Sequence, residues 1–262
     1  MPTAHLSNLS TRAKVGTNEN VLIGGFIIKG SQPKTLVLRA IGPSLRARGV
    51  SHPLADPTLE VHDSTGAVIA SNDNWGDGPA AVQILQSGLA PTDQSESAIL
   101  ITLSPGEYTA VVNGHDGLGG DGLVEVYEMD SNSTRLVNLS TRGRVGAFDD
   151  AMIGGVITNG GTKRVLIRAL GPSLATGDNA LGNALADPTL ELRDGSGNLI
   201  AINDDWEESP QAAEILASTM APVDRWESAI LVNLEVGNYT AVVRGVGDTS
   251  GTALVEVFDL EP

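Results

Sequence analysis

The chain repeats itself, and this limits its fold more than any other feature. DPTLEVHDSTGAVIASNDNW, from Asp56 to Trp75, returns half a chain length later as DPTLELRDGSGNLIAINDDW, from Asp187 to Trp206. The repeat covers nearly all 262 residues. LSNLSTRAKVG at Leu6 to Gly16 returns as LVNLSTRGRVG at Leu136 to Gly146, and LVLRAIGPSL at Leu36 to Leu45 returns as VLIRALGPSL at Val165 to Leu174. Ile23-Gly24-Gly25, ESAIL at Glu96 and YTAVV at Tyr108 also recur, and LVEVY at Leu123 returns as LVEVF at Leu254. The displacement drifts only between 129 and 131 residues, so two units carry the same elements in the same order. The units are read as residues 1–130 and 135–262, with 131–134 as a short linker expected to join them as a semi-rigid rod.

Each unit is expected to be all-β. In the first, strands are placed near residues 6–15, 20–29, 34–41, 57–63, 67–72, 97–103, 107–113 and 122–129. TLVLRAI and AILITL are nearly continuous apolar runs, which suits covered central strands, whereas LEVHD and GEYTAVV alternate as strands with one wet face do. Asp63-Ser64-Thr65-Gly66 and Asp194-Gly195-Ser196-Gly197 read as hairpin turns in which glycine supplies positive φ. One short amphipathic helix is expected per unit, at 80–89 and 212–220. Many short strands with no strand–helix–strand alternation predict two tandem jelly-roll-like β-sandwich domains. Aromatics make up only 3% of the chain, so the cores must be aliphatic.

Sixteen basic residues stand against 32 acidic ones, a formal charge of −16. Nucleic acid is excluded as a partner, because its affinity rests on Lys and Arg neutralising phosphates. No apolar run is long enough to span a bilayer, so membrane insertion is not expected. Cysteine is absent, which excludes disulfides and thiolate chemistry. The N-terminal stretch lacks the basic and then apolar segments of a signal peptide, which suits a cytosolic protein or a mature portion of an exported one.

The acidity concentrates in duplicated loops. Asp56, Asp73, Asp77, Asp93 and Glu96 match Asp187, Asp204, Glu208, Asp224 and Glu227. Carboxylates about 6 Å apart repel by roughly 3 kcal/mol at an effective dielectric of ~20, and a hard divalent cation removes that cost. These ten residues are therefore candidate metal ligands, with capping of turns and helices as the competing role for the same side chains. Arg39 and Arg168 lie in apolar strands and should be ion-paired. Trp75 and Trp206 share a slot in both units and are expected to pack in the interior. Trp226 has no aromatic counterpart and is the candidate ligand-binding aromatic. All four histidines fall in unit one, no Gly-x-Ser-x-Gly elbow occurs, and Gly42-Pro43-Ser44 reads as a turn, so an enzyme is not expected.

DPTLEVHD…GAVIASNDNW followed by ESAILITLSPGEYTAVVNG resembles the bacterial pre-peptidase C-terminal domain, over about the last two-thirds of each unit. The NLSTR…IGG…LRAIGPSL front segment is similar to tandem repeats of large secreted bacterial surface proteins. The resemblance implies a calcium-stabilised β-sandwich outside the cell or on its surface, used for adhesion, secretion or matrix binding. It places ligands at Asp56, Asp73 and Asp77 and at Asp187, Asp204 and Glu208, where glutamate replaces the aspartate of unit one. The functional expectation is an extracellular structural or adhesive protein that self-associates, or joins neighbouring repeats, end to end into a fibre. The alternative is a carbohydrate-binding accessory module that takes polysaccharide or matrix.

Overall fold

The computed structural model describes residues 4–17, 20–115, 117–148 and 150–261. Unit one holds β1 (His5–Val15), β2 (Leu22–Lys29), β3 (Lys34–Ile41), β4 (Pro57–His62), β5 (Val68–Asn72), α1 (Ala81–Gln86), β6 (Ser97–Leu103), β7 (Gly106–Gly114) and β8 (Gly120–Glu128). Unit two repeats the series as β9 (Arg135–Val145), β10 (Met152–Asn159), β11 (Lys163–Leu170), β12 (Pro188–Asp194), β13 (Leu199–Asn203), α2 (Ala212–Ala217), β14 (Ser228–Leu234), β15 (Gly237–Gly245) and β16 (Gly251–Asp259). Short 3-10 turns at Pro43–Arg48 and Trp75–Asp77, and at Pro172–Ala175 and Trp206–Glu208, complete the pattern. The hairpin turns close as their sequences require: Gly66 and Gly197 each take φ +82°, and the Asp63 and Asp194 carboxylates accept backbone N–H groups across the turn.

Within unit one the strands pair in the order β1-β8-β3-β6 and β2-β7-β4-β5, and unit two pairs as β9-β16-β11-β14 and β10-β15-β12-β13. Two four-stranded antiparallel sheets in this order, joined by Greek-key connections, form a jelly roll. β4 lies against β3 and β6, and β12 against β11 and β14, so the two sheets of each unit face each other. Alternation follows: Leu36, Leu38 and Ala40 of β3 point into the core, while Arg39 points to the outer face.

The units are not strung one after the other on a linker, as the repeat alone suggests. β1 pairs with its own β8 on one side and with β10 of unit two on the other. Reciprocally, β9 pairs with its own β16 and with β2 of unit one. Thr11 faces Gly154 in the first ladder, and its equivalent Thr141 faces Gly24 in the second, so an approximate two-fold relates them. The result is two eight-stranded sheets, each built half from one unit and half from the other, touching at one strand pair, Lys14 with Arg144. One apolar core runs through both units, from Leu59 and Val61 to Leu190 and Leu192. On the outer faces, α1 and α2 each cover a small pad around Trp75 and Trp206, whose indole N–H groups donate to the Asp93 and Asp224 carbonyls.

The linker is also held. The Asp130 carboxylate accepts Lys34 Nζ at 2.9 Å and the Thr35 N–H at 2.7 Å, and the buried Thr134 hydroxyl accepts the Gln32 N–H. Gly30, at φ +144°, passes so close to Thr134 that a Cβ there would lie 2.7 Å from its Cα.

On the two-fold, the Thr11 and Thr141 hydroxyls hydrogen-bond at 2.9 Å in full burial. Beside them, a Cβ on Gly143 would lie 2.7 Å from Ala13 Cβ, its own repeat equivalent, and 3.1 Å from Leu22 Cδ1. There is room for one methyl group at this spot and not for two. Gly143→Ala is expected to cost about 1–3 kcal/mol in urea denaturation, as overpacked cores do. Adding Ala13→Gly should recover most of that loss, because the second change reopens the same space. Additive losses in the double variant would refute the shared contact.

Candidate cation site

Asp56 immediately precedes β4, Asp73 immediately follows β5 and His115 immediately follows β7. These three strands are antiparallel neighbours, so the start of one and the ends of the other two meet at one edge of the sheet. The His115 N–H donates to the Asp56 carbonyl at 2.8 Å, and His115 Nδ1 lies 3.1 Å from the Asp73 carboxylate. The loop after β5 is clamped from behind. Ser97 Oγ donates among the Pro57, Asn72 and Asp73 carbonyls, and Asn72 Oδ1 accepts the Ala98 N–H. Asp56, Asp73 and His115 have ligand atoms within 4.8 Å of one another, the one such group of three among the described residues.

The same edge of unit two is built from the same frame with different charges. Val246 occupies the place of His115, its N–H donating to the Asp187 carbonyl at 2.9 Å. Asp205 stands where unit one has Asn74. Burial, with Asp204 and Asp205 close by, pushes the Asp187 carboxyl above its ordinary range, and burial with Asp205 and Glu208 does the same to Asp204. Asp187 Oδ1 and Asp205 Oδ1 are buried with no hydrogen-bond donor.

Donor chemistry separates the two edges. Calcium takes six to eight oxygens. Unit two offers carboxylates only: Asp204 and Asp205 lie near enough to Asp187, and Asp205 and Glu208 near enough to Asp204, to raise those carboxyls, but no three of the four bring ligand atoms within 4.8 Å of one another. Unit one offers two carboxylates and an imidazole, a donor set suited to a softer divalent metal.

Other candidate ligands go elsewhere. Glu96 is fully buried, and its Oε1 accepts the Gly42 N–H at 3.0 Å, the Ser44 N–H at 2.9 Å and the Ser44 hydroxyl at 2.6 Å. Glu227 is tied in the same way to Gly171 and Ser173. These two carboxylates fasten the Gly-Pro-Ser turn, their acceptor capacity used by their own chain. Asp93 Oδ1 caps its turn by accepting Ser95 N–H and Oγ–H, and Asp224 Oδ1 accepts the Trp226 N–H. Asp77 is exposed on its 3-10 turn and is not one of the residues whose ligand atoms lie within 4.8 Å of one another at Asp56. Arg39 and Arg168 are ion-paired as expected, to Glu125 and Glu256. Trp226 is 47% exposed, with the Arg225 guanidinium 4.8 Å from its ring centre.

Two features escaped sequence reasoning. His115 carried no repeat partner and was set aside, although its position one residue past β7 was legible. Lys34 and Lys163 are buried ion-pair partners of Glu128 and Asp130 and of Asp259; only their matched places at the starts of β3 and β11 signalled them.

No protein-family model matches the chain, and no curated protein matches it. Among solved structures, oxalate decarboxylase from Bacillus subtilis at pH 4.6 aligns with 97% of this chain and 68% of its own at 8% identity, TM-score 0.17. The Sputnik virophage structure aligns with 97% of this chain and 80% of its own at 9% identity, TM-score 0.15.

The raised carboxyls of unit two make stability depend on pH. A folded-state pKa above the unfolded one means that ionisation opposes folding: the penalty is absent well below the ordinary value of 3.8 and complete above the raised value. With chelator present, Asp204→Asn should stabilise the protein by about 0.5 kcal/mol at neutral pH, the scale of exposed charge interactions. In urea titrations that gain should vanish as pH falls below the carboxylate range. A gain independent of pH would exclude charge repulsion as its source.

Proposed function

We propose that this protein is an extracellular or cell-surface structural or adhesive repeat protein, stabilised by calcium and assembling end to end. The observation that carries the reading is the state of its sheet edges. The inner edges, β1, β2, β9 and β10, are consumed in the joint, which is self-complementary and closed and so cannot be used to add a third unit. The passage from the first repeat into the second, which by sequence alone suggests continuing head-to-tail growth, is therefore not the growth point. The outer edges are open: β5 pairs only with β4, and β13 only with β12, among the described residues. Both carry exposed apolar side chains, Val68 and Ile69 on one and Leu199, Ile200 and Ile202 on the other. An uncapped apolar edge strand is a template for another strand, and the occupant that fits both ends is a second copy of this chain.

A net charge of −16 opposes such contact, and bound divalent cation reduces that opposition. When bound at Asp187, Asp204, Asp205 and Glu208, calcium would neutralise the repelling carboxylates there. Electron microscopy of concentrated protein with calcium should show filaments. Ile202→Lys should abolish them while leaving the melting temperature unchanged, because this side chain is 61% exposed. Dispersed particles with calcium, or filaments that survive Ile202→Lys, would refute edge-to-edge assembly.

Calcium stabilisation is tested separately. Free calcium at ~100 times its dissociation constant should add roughly 2.7 kcal/mol, read as a rise in melting temperature that a chelator reverses. Asp187→Asn should remove most of this rise. An unchanged melting curve across a calcium titration would rule out the site.

Trp226 supports a second reading, polysaccharide or matrix binding, since exposed aromatic faces are what sugars stack on. Unchanged retention of Trp226→Ala on a glycan array or polysaccharide column would eliminate it.

A further inference from the structure

The outer face of unit one carries a cleft that has no counterpart in charge on unit two. Its floor is β3 and β8, whose outward residues Arg39, Ile41, Leu123 and Glu125 lie side by side. One wall is the 3-10 turn Pro43–Arg48, which contributes Leu45 and Arg48, and the other is the segment 90–92 after α1. The cavity measures about 430 Å³, within the ~300–1,000 Å³ range of small-molecule sites.

Its lining has a definite chemistry. Ile41, Leu45 and Leu123 form an apolar cluster with Val50 beneath the cleft. Glu125 is neutralised in place: Arg39 Nε donates to Oε2 at 2.9 Å, and the Tyr127 hydroxyl donates to Oε1 at 2.8 Å. Arg39 is committed in turn, donating also to the Leu89 carbonyl at 2.8 Å. Arg48 is different. It is exposed and has no carboxylate within ion-pair distance among the described residues. The lining therefore carries one uncompensated positive charge beside an apolar floor.

We infer that this cleft binds a small amphipathic carboxylate, with the Arg48 guanidinium taking the carboxylate and Ile41, Leu45 and Leu123 taking the apolar chain. A guanidinium matches a carboxylate in shape and charge, and burial of the chain supplies the remainder of the affinity. A polyanion is disfavoured, because one free cation on a chain of charge −16 cannot balance it. Unit two provides an internal control. Arg168 and Glu256 repeat the paired floor, but RARG at Arg46 to Gly49 is replaced by ATGD at Ala175 to Asp178, which brings an acid and no arginine. One site per chain follows.

Isothermal titration calorimetry with octanoate tests this on the full chain. Expected are one site per chain, binding at least tenfold weaker for octanol and for butyrate, and none for octylamine. Arg48→Ala should weaken octanoate about tenfold with an unchanged melting temperature, and Arg48→Lys should restore part of the loss. Two sites per chain, equal affinity for octanol, an Arg48→Ala variant that binds as well as the parent, or no binding at millimolar octanoate would each overturn the assignment.

Discussion

Everything else in this structure depends on the reciprocal pairing of β1 with β10 and β9 with β2. A jelly roll has two sheets and so four edges, and the first and second strands occupy two of them. Here each unit closes the other's inner pair. Main-chain hydrogen bonds run through the joint in both sheets, the Thr11–Thr141 bond sits on the two-fold, and one apolar core includes residues of both units. Such a joint admits little relative motion, because bending it means breaking two ladders and opening a core. It also uses up its own surface, so among the described strands β5, β6, β13 and β14 are the ones left with an unpaired edge.

On this common frame the two units have diverged in charge. At the sheet edge below the loops, unit one sets His115 against Asp73, while unit two puts Val246 in the same place and adds Asp205. The first arrangement carries an imidazole of its own; the second has carboxylates alone, and burial with mutual repulsion raises Asp187 and Asp204. On the outer face the asymmetry runs the same way, with Arg46 and Arg48 in unit one against Asp178 in unit two. Duplicated backbones thus carry side-chain clusters that are not duplicates.

Much of the fold was legible from residue order. The predicted strands coincide with the observed ones to within about two residues, because apolar runs and alternation report local burial. Arg39 inside an apolar strand required an ion pair and has one. The carboxylates were less legible. Glu96 and Asp56 look alike along the chain, yet Glu96 is fully buried under three strong donors from the Gly-Pro-Ser turn, whereas Asp56 stands at the sheet edge beside Asp73. Acceptor and ligand are the same chemical group, and only the direction of donors from distant residues separates them.

The sequence by itself determined the strands, the turns, the duplication and the fold class, since each follows from periodicity or from local conformational preference. Tertiary structure alone decided which strand edges meet. The Gly24-Gly25 and Gly154-Gly155 pairs repeat visibly in the chain, but their meaning as the seam, where each faces Thr or Ser of the opposite unit, depends on residues about 130 positions away. Pairing between edges is set by backbone hydrogen bonds that every residue offers equally, so the choice among edges leaves little mark in side-chain pattern. It is settled by packing, down to the space for a single methyl group between Ala13 and Gly143.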